Sequence, residues 1–74
     1  MDYDEMTDHI VKFEAGELYY IHTYQGRRLT LYLAARASPI MGVVNHIFYV
    51  CSKNKRMYIS NAQAIRMGKY ITKV

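Results

Sequence analysis

Three histidines, one cysteine and eight tyrosines are the side chains of this 74-residue chain with the widest chemical range. His9, His22 and His46 with Cys51 could nominally furnish four zinc ligands, since that ion accepts mixed nitrogen and sulfur ligation. Their intervals of 13, 24 and 5 residues contain neither C-x-x-C nor H-x-x-x-H, so no metal site is expected. Cys51 precedes Ser52 and Lys53, where a nearby cation favours thiolate. A lone cysteine in a strand is, however, ordinarily a small packing residue, and with no partner for an internal disulfide the chain fits a reducing, cytoplasmic setting. General acid–base catalysis pairs groups of different acidity, and residues 18–74 hold no carboxylate at all. The enzymatic alternative that survives is a metal-free ribonuclease toxin in which His22 or His46 works with Arg28, Arg56 and a tyrosine on a phosphodiester. Neither G-x-x-x-x-G-K nor G-x-G-x-x-G occurs, which removes nucleotide hydrolysis and dinucleotide binding. No catalytic residue and no cofactor is therefore assigned.

Charge is segregated along the chain. Residues 1–17 carry all six acids, Asp2, Asp4, Glu5, Asp8, Glu14 and Glu17, against Lys12, a formal −5. Residues 18–74 carry Arg27, Arg28, Arg36, Lys53, Lys55, Arg56, Arg66, Lys69 and Lys73, a formal +9, which leaves +4 overall. A purely cationic body attracts polyanions over a Debye length of about 10 Å and is the footprint of a nucleic-acid or nucleoprotein partner. The competing reading folds the acidic segment back onto the basic face as an internal mask. An acidic start with no apolar stretch after it is not a secretory signal. The longest uncharged run, residues 37–52, is broken by Pro39, Gly42, Asn45 and His46 and is shorter than the ~20 apolar residues a bilayer requires.

Tyrosine offers a flat apolar body with a hydroxyl, suited to stacking on bases and to protein interfaces. Tyr19, Tyr32 and Tyr58, with Arg27, Arg28, Arg36, Lys53, Lys55 and Arg56, form the expected contact surface. Asp2, Asp4, Glu5 and Asp8 form a second, acidic contact. The chain lacks the sheet motif of RNA-recognition domains, the G-x-x-G loop of KH domains and a helix-turn-helix signature.

The elements that must position these residues follow from period and turn chemistry. Tyr3, Met6, Ile10 and Phe13 recur at helical spacing, with Asp2 and Glu5 as a capping box and Gly16 as the stop, which predicts a helix over about 3–14. The alternation of Val11 and Phe13 with Lys12 and Glu14 leaves a strand over 9–14 open. Leu18–Tyr24 and Arg27–Ala34, separated by Gln25-Gly26, predict a tight hairpin. Pairing Tyr24 with Arg27 puts Leu18, Tyr20, His22, Leu29, Leu31 and Leu33 on one side, taken as the core, and Tyr19 and Tyr32 on the exposed side. Residues 34–42 read as a connecting loop. A second hairpin, residues 44–52 and 56–60, turns at Lys53-Asn54-Lys55, with Asn54 suited to a left-handed conformation. Phe48, Val50, Met57 and Ile59 share one of its faces, and Tyr49, Cys51 and Tyr58 the other. Asn61 caps a short helix, residues 62–67, stopped by Gly68, and residues 69–74 read by their alternation as a last strand.

The expected architecture is thus one α+β domain over residues 1–74. It has a four- to five-stranded antiparallel sheet of two hairpins, an N-terminal helix, a short helix before the last strand, and a core of Leu29, Leu31, Leu33, Phe48, Val50, Ile59 and Ile65. A barrel of the SH3 or OB kind is allowed by strand count alone, and fold analogy would not decide function. The expected function is that of a small, non-enzymatic, cytoplasmic regulator, of the build common among phage and mobile-element accessory proteins. It would inhibit or modulate a nucleic-acid-processing machine such as RNA polymerase by contacting a protein subunit. The alternative is direct, weakly sequence-selective binding of RNA or single-stranded DNA. No membrane and no small-molecule substrate is expected.

Overall fold

The computed structural model describes residues 9–39 and 42–74. Its elements run β1 (Leu18–Thr23), β2 (Gly26–Ala37), β3 (Val44–Val50), β4 (Lys55–Ser60), helix α1 (Asn61–Arg66), a 3-10 turn (Gly68–Tyr70) and β5 (Ile71–Lys73). They build one five-stranded sheet of order β4-β3-β2-β1-β5, in which every neighbouring pair is antiparallel. Each strand up to β4 pairs with the one before it, and β5 returns to the far side of β1.

The first hairpin forms with a two-residue turn, but that turn sits one residue nearer the N-terminus than its sequence predicts. Its closing pair is Thr23 with Gly26, so Tyr24 and Gln25 make the turn. The Thr23 hydroxyl donates to the Gly26 carbonyl at 2.7 Å, and Gly26 takes a φ of 122° that a side chain would resist. The register is displaced by two residues from the expected one, which keeps every side chain on its face. Which face is buried is nevertheless reversed. Tyr19, Ile21, Thr30 and Tyr32 are buried, whereas Leu29 is 37% and Leu18 38% exposed. Ile65 also stands exposed, and Ala64 takes its place in the core. The true cluster is Tyr19, Ile21, Tyr32, Phe48, Ile59, Ala64 and Ile71. Phe48, Val50 and Ile59 are buried as expected.

Residues 34–37 belong to β2, not to a loop, pairing with Ile47, His46, Asn45 and Val44. Cross-strand pairing here outweighs the weak strand preference of alanine. Between Tyr32 and Ala34 the register slips, and Leu33 is the extra residue of a β-bulge, which bends the strand locally. The second hairpin turns through residues 51–54, earlier than the expected 53–55, so Cys51 is exposed in the turn rather than packed in a strand and Lys55 joins β4, while Asn54 takes the left-handed φ of 52° its sequence requires.

Helix α1 starts one residue earlier than expected. Ser60 is the N-cap, its hydroxyl accepting from Gln63 N–H while the Gln63 side chain accepts from Ser60 N–H. Asn61, relieved of capping, points into the protein, and Gly68 opens a 3-10 turn through Tyr70, so the last strand begins at Ile71 and not at Lys69.

The predicted N-terminal helix is not present where the structure describes the chain. Residues 9–14 form neither helix nor strand, and the remainder of that span, residues 1–8, lies outside the described residues. The segment is a strap across the core face. Phe13 inserts into an aromatic cluster, its ring centroid 5.0–5.3 Å from those of Tyr19, Tyr32, His46 and Phe48. Three of these contacts are edge-to-face, the geometry aromatic quadrupoles prefer. The strap is tied at both ends. The Asn61 side chain accepts from Val11 N–H at 2.9 Å and donates to the His9 carbonyl, and Tyr19 OH accepts from Glu14 N–H at 2.8 Å.

Candidate interaction face

The sheet has two faces of opposite character. On the core face a polar chain is buried without any orphaned atom among the described residues. Val11 N–H can only donate and the His9 carbonyl only accept, so Asn61 must present Oδ1 to Val11 and Nδ2 to His9. His46 Nε2, 3.0 Å from that same Oδ1, must then be the protonated nitrogen. Its Nδ1 is left to accept from Tyr32 OH at 2.9 Å. Both ring nitrogens of a fully buried histidine are thereby committed, and His46 cannot reach a phosphodiester. Burial, and secondarily the neighbouring Tyr19, pushes the Tyr32 phenol above its ordinary acidity range.

Tyr19 and Tyr32, expected on the contact surface, are instead 6% and 4% exposed. They face inward because the strap and Ala64 of α1 cover their side of the sheet. Neither offers a ring to a partner. Arg28 shares their side of the hairpin and leans on the turn, its Nη2 donating to Gln25 Oε1 at 3.4 Å. Asp2, Asp4, Glu5 and Asp8 lie outside the described residues.

The opposite face carries Leu18, Tyr20, His22, Arg27, Leu29, Leu31 and Leu33 from the first hairpin, by the observed register. Continuing across the sheet, it takes Ala34 and Arg36, then Ile47 and Tyr49, then Tyr58 and Arg56. Among the described residues no acidic one falls on it. The Arg27 guanidinium sits 4.2 Å from the centroid of the Tyr20 ring, a cation–π contact. His22 Nε2 is 3.1 Å from Thr72 Oγ1. Tyr49 OH donates to Asn54 Oδ1 in the basic tip, where Lys53 and Lys55 are exposed.

Three expected contact residues, Arg36, Arg56 and Tyr58, converge on a groove of about 240 Å³. The bulge makes it. Leu33 and Ala34 come successively to this face, and the single methyl of Ala34, opposite Ile47, leaves a hollow floored by Leu33, Ala34 and Ile47. Arg36, Arg56 and the half-exposed Tyr58 stand around it. Neither guanidinium has an ion-pair or hydrogen-bond partner among the described residues. The two described acids are occupied at the other edge of the sheet, Glu14 bonding to Lys73 and Glu17 lying 4.0 Å from it. That bond to Glu14, foremost, raises the Lys73 pKa.

Sequence reasoning placed Tyr20, His22 and the leucines inside. The signal that opposes it lies on β3: once Phe48 and Val50 are core, whichever residues of β2 pair with them are core too, and these are Tyr32 and Thr30. No group of three or more histidine, cysteine or acidic residues is arranged for a metal among the described residues. No helix there is long and apolar enough to cross a membrane. Compared with protein-family models, with curated proteins and with solved structures, the chain matches none.

Proposed function

We propose that this protein is a small non-enzymatic cytoplasmic regulator. It docks on a protein subunit of a nucleic-acid-processing machine, such as RNA polymerase or another nucleoprotein complex, through the open face of its sheet. The observation that carries this reading is that, among the described residues, one whole sheet face is both apolar and acid-free. Four leucines, Ile47 and three tyrosines are laid out with Arg27, Arg36 and Arg56. An apolar surface rimmed by charge is the build of a protein-docking site. The same charge sign suits a surface that lies beside, or imitates, nucleic acid.

Direct binding of RNA or single-stranded DNA is the second reading, favoured by the exposed Tyr58 and the basic tip. It fits less well, because base stacking needs free aromatic faces. Tyr19 and Tyr32 are buried, Tyr20 is already covered by Arg27 and Tyr49 is tied to Asn54, which leaves Tyr58 as the one uncovered ring among the described residues of a face that is otherwise mostly aliphatic. A ribonuclease reading loses His46 to the core and leaves His22 beside Tyr20, whose ring is already covered by Arg27.

The test is a tagged pull-down from host lysate, with and without nuclease, identified by mass spectrometry. A defined protein that survives nuclease supports docking. If recovery consists of nucleic acid with proteins that vanish on nuclease treatment, direct binding replaces it. In that case, substituting Lys53, Lys55 and Arg56 flattens the salt dependence of affinity by roughly one unit per lost phosphate contact.

A further inference from the structure

The open face is wide, and at the bulge groove an apolar floor meets cations that have no partner among the described residues. Leu33, Ala34 and Ile47 supply a concave aliphatic floor, and Arg36 and Arg56 flank it with no carboxylate to answer them among the described residues. A guanidinium binds a carboxylate through two parallel N–H bonds, which gives direction as well as attraction. A side chain seated on the floor would exclude water from those bonds and strengthen them. The few residues that carry most of the binding energy of protein interfaces sit in desolvated, well-packed pockets of this kind, and arginine is among the types enriched there.

We propose that the groove is the anchor pocket of the docking surface. It receives an aliphatic side chain of an acidic partner segment, with carboxylates one or two residues away paired to Arg36 and Arg56. Tyr58 covers one flank with its ring. This rests on the docking reading above and names the chemistry of the partner's contact element. Charge complementarity chooses the occupant. A second copy of this chain would bring the same cationic face to its own image and is repelled. A nucleotide would satisfy the arginines but meet a branched aliphatic floor with one ring at its wall.

The experiment uses the full chain, isotopically labelled, titrated with a synthetic peptide of Asp, Glu and Gly bearing one central Leu. Two control peptides carry Gly for the Leu or Gln for the acids, and an oligouridylate is the nucleic-acid probe. The proposal expects saturable amide shifts centred on Leu33, Ala34, Ile47 and Tyr58 with the first peptide. Affinity should fall at least tenfold for either control peptide and for R36E and R56E, whose dispersed spectra confirm folding. It is overturned if no saturable shift develops up to about 1 mM peptide, if the control peptides bind equally, if both charge reversals leave affinity unchanged, or if the oligouridylate binds the groove more tightly. The same charge reversals in the nuclease-treated pull-down separate the two claims. A partner retained undiminished by R36E and R56E leaves docking in place and removes the groove as its anchor.

Discussion

Replacing Asn61 by alanine tests the reasoning that makes the core face what it is. Asn61 serves three groups, Val11 N–H, the His9 carbonyl and His46 Nε2–H. Each such bond contributes about 0.5–1.5 kcal/mol net, and a buried donor left without an acceptor costs about 1–3 kcal/mol. His9 is exposed and Val11 half-buried, so water can replace the bonds there. No water replaces the one to His46, which is 0% exposed. The expected loss is therefore about 2–4 kcal/mol, dominated by the stranded Nε2–H. A chain of this length is stable by roughly 4–11 kcal/mol, so the variant should still fold while its melting temperature drops by roughly 10–30 °C. Urea unfolding followed by circular dichroism measures the loss, and amide exchange at Val11 locates it. Asn61→Asp is the discriminating partner. Its carboxylate still accepts from Val11 and His46 but places a second oxygen against the His9 carbonyl, so Val11 protection should survive in Asp and vanish in Ala. If the alanine variant loses less than about 0.5 kcal/mol and Val11 stays protected, the polar chain does not hold the strap and the account of the core face is wrong.

The reversal of faces gives a paired prediction: Ile21→Ala should cost about 2–5 kcal/mol as a core truncation, and Leu29→Ala under about 1 kcal/mol as a surface one; comparable losses in urea titrations would contradict the burial described. Alkali gives another. Tyr32 and Lys73 both have folded-state pKa values raised above their unfolded ones, Tyr32 by burial first and Lys73 by its bond to Glu14 first. Their contribution is then fully present below pH about 10 and lost as pH rises through the folded values. Stability measured upward from pH 9 should fall, and the fall should be shallower in Tyr32→Phe; identical slopes would remove Tyr32 as a cause.

What sequence reasoning could read follows from how locally each feature is determined. Asn54 is called for by its own turn, and the faces of β3 and β4 by alternation within strands of seven and six residues. These emerge as expected, as does the antiparallel sheet. The buried side of the first hairpin is not locally determined. Leu18, Tyr20, Leu29, Leu31 and Leu33 compete with Tyr19, Ile21, Thr30 and Tyr32, and by hydropathy the leucines win. The outcome is decided by Phe13 and Ala64, which reach the sheet from either end of the chain. The strap fails the helix expectation for the same reason, since its backbone is bonded by a residue 50 positions away. Arg36, Arg56 and Tyr58 are picked out by charge and type as candidates, and all three line the same groove. Their convergence depends on a bulge at Leu33 that no glycine or proline announces.

The separation between the strap and Asn61 also sets an order of events in folding. Strands β1 to β4 pair with sequence neighbours and need only short loops closed, whereas β5 on β1 and the strap on α1 close contacts some 50 residues apart. Non-local closures are the slow steps of small domains. On the ribosome, the meander can form early, but Tyr19 and Tyr32 have no cover from α1, and β1 keeps a bare edge, until Ala64 and then Ile71–Lys73 have emerged. The nascent chain thus exposes apolar surface on both sides of its sheet, and only one side is closed when synthesis has passed β5. The interval between β4 and β5 is where a chaperone, or a second nascent copy, would meet this protein at its most adhesive.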